Sequence, residues 1–425
     1  MPVFLFFKQI VDMFYQYQIL DYGMVVLGVA LLFVAAGRAW AKEKDFLQSD
    51  SCLQKQEGSK GIRLYLDDLK AFLCPSDFVV LALIIIYGIS FLRYPSAYGI
   101  FFKVESCFLL YCLGRVYGRK ILRHGRVLAW AGYVAVYANF VYRFYQFGFR
   151  LTVGVGEEDL LNRGGLYYYK TDLAIGMMIA VLFIYMFGEN KWLKWFTITV
   201  ICGYLVFYSG ARMQQLMMAV EYVLILLYEA EKRTRFMLRF KKSHVTAVMA
   251  VVFVMVFLFF AALQIFPMEE WAAALNTEHG MGMVLEKLMH SRHVIWLDIL
   301  GYFSECPFLT RCFGIDLKTE YLHNAKGMRA HSAYIKQLYA TGYIGCILFL
   351  ILIGLILYRL CEEKDRRVFY AILILWLILL GAGLTIESLE STQMSWFPML
   401  FSGMLLSKPK KEDEETRVNE GVAIK

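Results

Sequence analysis

The chain alternates long apolar blocks with shorter polar segments. The blocks lie near 21–40, 77–94, 99–117, 127–147, 172–188, 193–208, 213–228, 246–266, 338–358, 368–386 and 392–407. Most approach the roughly 20 residues that carry a helix across the hydrocarbon core of a bilayer. No alternating barrel pattern is present. In lipid the backbone must satisfy its own hydrogen bonds, and a helix does so within one segment. The pattern predicts an all-α integral membrane protein of eleven spans in a single transmembrane domain over 1–407. The segment 1–18 is shorter and is interrupted by Lys8 and Asp12. It reads as an interfacial helix, with a twelfth span as the alternative.

Charge gives the spans a direction. Lys42 to Lys70, Arg119 to Arg126, Lys191, Lys232 to Lys242, Arg359 to Arg367 and Lys408 to Lys411 all fall on one side of an eleven-span arrangement. Basic residues collect in cytoplasmic loops, so that side is the cytoplasm, with the N-terminus outside and the C-terminus inside. The segment 41–75 reads as a polar linker with an amphipathic stretch at 61–73. The tail 408–425 is charged and reads as disordered. The expected outer side is sparse except for the loop 148–171 and a large extracytoplasmic loop at 267–337. In the latter, 282–304 has helical spacing, with Leu285, Leu288, Ile295 and Ile299 on a face expected to lie on the membrane.

Composition agrees with this picture. The chain is 59% hydrophobic and 16% aromatic, with mean hydropathy +0.52. The net charge of +8 does not indicate nucleic acid, because the basic residues sit in short loops beside apolar blocks. The N-terminus lacks the basic region and small-residue site of a cleavable signal peptide. The nine cysteines have no metal-type spacing; Cys306 and Cys312 share a loop and read as two separate thiols.

Four clusters carry candidate chemistry. Tyr208-Ser209-Gly210-Ala211-Arg212 reads as a tight turn with Arg212 where the next helix starts. A guanidinium at a helix N-terminus suits a phosphate or diphosphate; the alternative is an arginine snorkelling to headgroups. Arg163-Gly164-Gly165 with Tyr167 to Tyr169 and Lys170 offers cations and rings, as a sugar-phosphate surface or an aromatic belt would. Ser291-Arg292-His293-Val294-Ile295-Trp296 precedes Pro307 and Gly314. His290 and His293 lack a second pair at zinc-ligand spacing. Finally, His331 precedes Tyr334, Leu338, Gly342 and Gly345, which share a helical face whose glycines allow close contact. A neutral imidazole at the mouth of that helix can accept a proton from a hydroxyl.

Taken in order, these clusters resemble the O-antigen ligase and O-antigen polymerase superfamily of bacterial membrane glycosyltransferases. The elements are Arg163-Gly164-Gly165, the Ser-Gly-Ala-Arg turn at 209–212, Arg292, Ile295-Trp296, Pro307, Gly314, His331, Tyr334 and Gly342/Gly345. Two departures stand out: Ser332 follows His331 where the family has Asn, and the Pro-x-x-Gly-x-Gly element is reduced to Pro307 and Cys312-Phe313-Gly314. The resemblance implies a glycosyltransferase-C-like membrane fold. It also implies inverting transfer from a polyprenyl-diphosphate-linked oligosaccharide in capsule, exopolysaccharide or O-antigen synthesis, without nucleotide sugar or cofactor. A chain-length regulator and a flippase of the same pathway are the implied protein partners.

In that scheme Arg212, Arg292 and Arg163 hold the donor diphosphate, and His331 orients or deprotonates the acceptor. Tyr334, Trp296 and Lys170 contact glycan. The outer loops hold no Asp-x-Asp pair, so no metal is expected. Two readings compete. A ligase differs only in its acceptor. A transporter of lipid-linked glycans would place ionisable groups in mid-membrane, where Lys103, Glu105 and Glu221 are the candidates, and often carries internal repeats, which are not evident here.

Overall fold

A computed structural model describes residues 1–13, 20, 22–34, 74–148, 165–167, 169–234, seven positions between 242 and 255, and 292–407. Every regular element among the described residues is helical. They are α1 (Pro2–Asp12), α2 (Tyr22–Val34), α3 (Pro75–Arg93), α4 (Tyr98–Tyr117), α5 (Gly125–Phe147), α6 (Lys170–Phe187), α7 (Lys191–Ser209), α8 (Arg212–Thr234), α9 (Arg292–Glu305), α10 (Phe308–Phe313), α11 (Ala333–Leu360), α12 (Arg366–Ala382) and α13 (Thr392–Leu406). The stretch 61–73, the tail 408–425, and Arg163, Leu285, Leu288 and His290 lie outside the described residues.

Six helical runs are long and apolar enough to cross a membrane. The chain is thus an α-helical, multi-pass membrane protein by length and composition. One run, Pro95–Tyr145, is 51 residues long. It joins two of the blocks expected from sequence. Gly118 takes φ +52° where α4 ends, and a 3₁₀ stretch, Gly118–His124, leads into α5. α8 carries Glu221, Glu229 and Glu231 and is less apolar, and α13 has 15 residues. Most of the expected span at 246–266 lies outside the described residues.

The helices form two compact units. The first comprises 1–75, 109–211 and 396–425. Here α5 packs on α6, and Gly132 lets α5 approach the Ala180 backbone. Gly114 and Gly403 bring two helix backbones together, which a larger residue would prevent. Arg115 then donates to the Leu406 carbonyl at the end of α13. Lys8 and Asp12, which break the apolar pattern of the N-terminal segment, are both buried and form an ion pair one helical turn apart. Lys8 also lies 4.4 Å above the Trp396 ring. The helix they sit on has 11 residues. That is a rise of roughly 17 Å, too short for the core of a bilayer. Its polar groups face protein, where the interfacial reading placed them among headgroups.

The second unit comprises 76–108 and 212–395. α8 runs against α12. Met217 meets Gly381, Tyr228 lies 5.1 Å from Tyr370, and Arg366 pairs with Glu231 at 2.7 Å. α11 is broken at Gly342, which takes φ +65°, ψ −165°. The break leaves carbonyls of the preceding turn without helical partners. The Ile315 N–H supplies the Tyr339 carbonyl at 2.7 Å, and the Ser90 hydroxyl supplies that of Ala340. Tyr87 bonds Gln337 and Arg93 bonds the Gly314 carbonyl, so α3 is fastened along the same turn. Gly314, at φ +83°, lies against the backbone of Ala340 and Thr341, and Gly342 against that of Arg311 and Cys312. The glycines do give a close approach. The continuous face expected through Tyr334, Leu338, Gly342 and Gly345 is interrupted, because the chain leaves helical geometry at Gly342.

A second expectation is corrected here. Ile295 and Ile299 are buried with Ala330 and Tyr339. That face of α9 covers the start of α11 rather than lying on a membrane.

A Cβ at Gly342 would strike backbone atoms at a positive φ, so Gly342→Ala should cost roughly 1–3 kcal/mol. It should lower the unfolding midpoint in detergent. Gly88, on α3 with nothing within 4 Å of its Cβ position, is the control. Gly88→Ala should leave the midpoint unchanged or raise it.

Candidate functional site

The site is assembled by the chain from α9 to α11 in the second unit. α9 starts at Arg292. Asp316 accepts from the Lys318 and Thr319 N–H groups, both at 2.7 Å, and starts a 3₁₀ turn, Thr319–His323. His323 stacks on Tyr302 with centroids 3.5 Å apart. Asn324 bridges both backbone groups of Met328, closing the turn at Gly327. The Trp296 indole N–H donates to the Ala330 carbonyl at 2.6 Å. These bonds tie the segment before α11 to α9 and bring His331 near Arg292.

His331 is the one non-glycine residue with positive φ among the described residues, at +47°. Such a conformation is costly for a residue with a side chain. Two bonds hold it. The His331 N–H donates to Glu387 Oε1 at 2.9 Å, and the Ala333 N–H donates to the Gly383 carbonyl at 2.8 Å. No hydrogen bond engages either imidazole nitrogen among the described residues.

Behind His331 lies a cluster of charges that the sequence reasoning missed. Lys336, on the first turn of α11, is 2.6 Å from Glu320 and 3.6 Å from Glu390. It also donates to the Leu317 carbonyl. Arg329 reaches Glu390 at 2.6 Å, Glu320 at 3.8 Å and Glu387 at 3.9 Å. Glu320 and Lys336 are almost wholly buried. Two signals were present in the sequence: a lysine two residues before the apolar block at 338–358, and the acidic pair Glu387 and Glu390 between the last two blocks.

The charges act on one another. Burial pushes the Glu390 carboxyl up, yet Lys336 and Arg329 together pull it below the usual range. Its contribution to stability is present above the ordinary carboxylate pKa and is lost as pH falls through the lower folded value. Burial raises Glu320 despite Lys336. Glu390 is foremost in holding Arg329 protonated. Burial lowers the His331 pKa below its ordinary value, and Arg292 and Arg329 lower it further, while Glu387 opposes them. The net effect favours the neutral imidazole. Burial lowers Arg292 as well, opposed by Glu387, from a value high enough that it stays cationic.

The structure thus brings Arg292, Trp296 and His331 together. Tyr334 follows one turn on, donates to the Leu380 carbonyl at 2.7 Å, and borders an apolar cavity of about 280 Å³ lined by Leu338, Phe349, Leu379 and Leu380. Arg212 is exposed at the start of α8 and makes no ion pair among the described residues. The turn before it forms as expected, with Gly210 left-handed at φ +65° and Ser209 accepting from the Ala211 N–H. Lys170 begins α6 in the first unit. There Gly165, at φ +64°, abuts Asn139, which accepts from the Leu166 N–H at 3.0 Å. Cys306 and Cys312 are free thiols. No group of three or more His, Cys, Asp or Glu side chains able to hold a metal occurs among the described residues.

Removing Lys336 would leave Glu320 buried without its nearest cation. Lys336→Met should cost roughly 3–5 kcal/mol, as breaking a buried pair does. A large fall in the unfolding midpoint in detergent checks this. Compared with known protein families and with curated proteins, the chain matches none.

Proposed function

We propose that the protein is an inverting membrane glycosyltransferase. It would polymerise oligosaccharide repeats carried on polyprenyl diphosphate, at the outer face of a bacterial plasma membrane. In this reading about eleven spans cross the bilayer, with the N-terminus outside and the C-terminus in the cytoplasm. The observation that carries the proposal is His331, held at positive φ just before a long apolar helix, with the Arg292 guanidinium among the charges that act on its imidazole. The ordered motif set supports it, and Trp296 is bonded to the residue before His331.

The residues divide the work as follows. His331 takes the proton of the acceptor hydroxyl, whose oxygen attacks the anomeric carbon. The bond from that carbon to the diphosphate breaks, and the electron pair leaves with the lipid diphosphate. Arg292, with Arg212, stabilises the growing negative charge. Trp296 spends its N–H on Ala330 and packs against Ile295, Ile299 and Tyr339, and so holds the segment carrying His331. Tyr334 contacts glycan.

The test is transfer by purified protein in liposomes given its lipid-diphosphate oligosaccharide. Wild type should yield a ladder of repeats. His331→Ala should lower the rate by about 10²–10⁴-fold, the range for losing a general base. Arg292→Lys should also lose activity, because lysine lacks the planar fork. Single transfer that requires a second acceptor would make the protein a ligase. Full activity in both variants would remove the proposed roles.

The pH dependence follows from the lowered His331 pKa. The base is active when neutral, so the rate should be full at pH 7. It should fall only as pH drops through a midpoint below the ordinary histidine value of about 6.5. A rate profile between acid and neutral pH checks the sign.

A further inference from the structure

The acidic residue nearest His331 is not on its own helix. Glu387 lies in the connection between α12 and α13, and its carboxylate is shared. Oε1 accepts the His331 backbone N–H at 2.9 Å, and Oε2 lies 3.9 Å from Arg329. The side chain is only 11% exposed, so neither bond is in open competition with water.

We propose that Glu387 is a positioning residue for His331. Its carboxylate holds residue 331 in the left-handed conformation that aims the imidazole, and places a negative charge against that residue's backbone. The role rests on the glycosyltransferase reading for its purpose but not for its geometry.

The argument has three parts. First, a histidine at φ +47° needs an external bond to stay there. Glu387 supplies it from a different element, so the position depends on tertiary structure. Second, the charges that face the imidazole are Arg292 from α9, Arg329 from the segment before α11, and Glu387 from the α12–α13 connection. The first two disfavour the protonated ring. Glu387 alone favours it, and stabilises the imidazolium that forms when the acceptor proton arrives. Third, Glu387 is itself fixed by the charge cluster through Arg329, which Glu390 anchors at 2.6 Å.

The test uses full-length protein in detergent. Diethyl pyrocarbonate modifies neutral but not protonated imidazole, and the modified peptide is quantified by mass spectrometry. The midpoint of His331 labelling against pH is measured in wild type, Glu387→Gln and Glu362→Gln. The amide oxygen of Glu387→Gln still accepts the backbone N–H, so the fold is kept while the charge is lost. Its labelling midpoint should move to lower pH, and Glu362→Gln, whose carboxylate pairs with Lys242 and Arg359 outside the cluster, should not move it. The acidic limb of the transfer rate should shift with labelling. Glu387→Ala, which loses both functions, should lose at least about ten-fold in rate. An unchanged midpoint in Glu387→Gln, or equal shifts in both Gln variants, would overturn the proposal. A shifted midpoint in a protein that transfers no glycan would uphold the coupling and sink the glycosyltransferase reading.

Discussion

The pairing of buried Lys336 with Glu320 and Glu390 is the contact on which the candidate site depends. Charges taken out of water are expensive unless each finds its partner. Here the partners come from three places: the 3₁₀ turn at Thr319–His323, the first turn of α11, and the connection after α12. Satisfying Lys336 therefore fixes all three relative to one another. Arg329 extends the cluster to Glu387, and Glu387 holds His331. A side chain with a chemical role is placed by neighbours that need not touch a substrate.

A second constraint is the break in α11. A helix that stops and restarts within an apolar segment leaves backbone groups that lipid cannot satisfy. The second unit answers with the Ile315 N–H and the Ser90 hydroxyl on the carbonyls of Tyr339 and Ala340, and two glycines at positive φ let the segments approach. The helix start below His331 is thereby stapled to α3 and to the segment after α10. Irregular backbone is tolerated next to the candidate base because protein covers it.

The helical membrane character was legible because long apolar blocks leave few alternatives. So was the Gly210 turn, since a left-handed residue between two helices calls for glycine. The N-terminal segment was half-legible. Lys8 and Asp12 showed that it was unusual, but their burial as a pair under Trp396 needs a partner far along the chain. Ile295 and Ile299 were correctly placed on one face, while what they face was not, because periodicity names a buried stripe and not its neighbour. The break at Gly342 was missed for a related reason. Two glycines at helical spacing read as a smooth packing surface, and only the backbone of Arg311 and Cys312 shows why one must leave the helix. The charge cluster was the largest omission. Its members are spread from Glu320 to Glu390, and each alone looks like a loop charge.

The proposed function joins His331 as a candidate base, Arg292 as a candidate cation, and a motif order through Trp296 and Tyr334 that resembles a family of polysaccharide polymerases and ligases. Its most direct test follows the donor lipid. Purified protein in liposomes is supplied with polyprenyl-diphosphate oligosaccharide, and free polyprenyl diphosphate is counted against glycosidic bonds formed. The account predicts one lipid diphosphate released for each bond. Donor that crosses the bilayer intact, with no lipid diphosphate released, would contradict it.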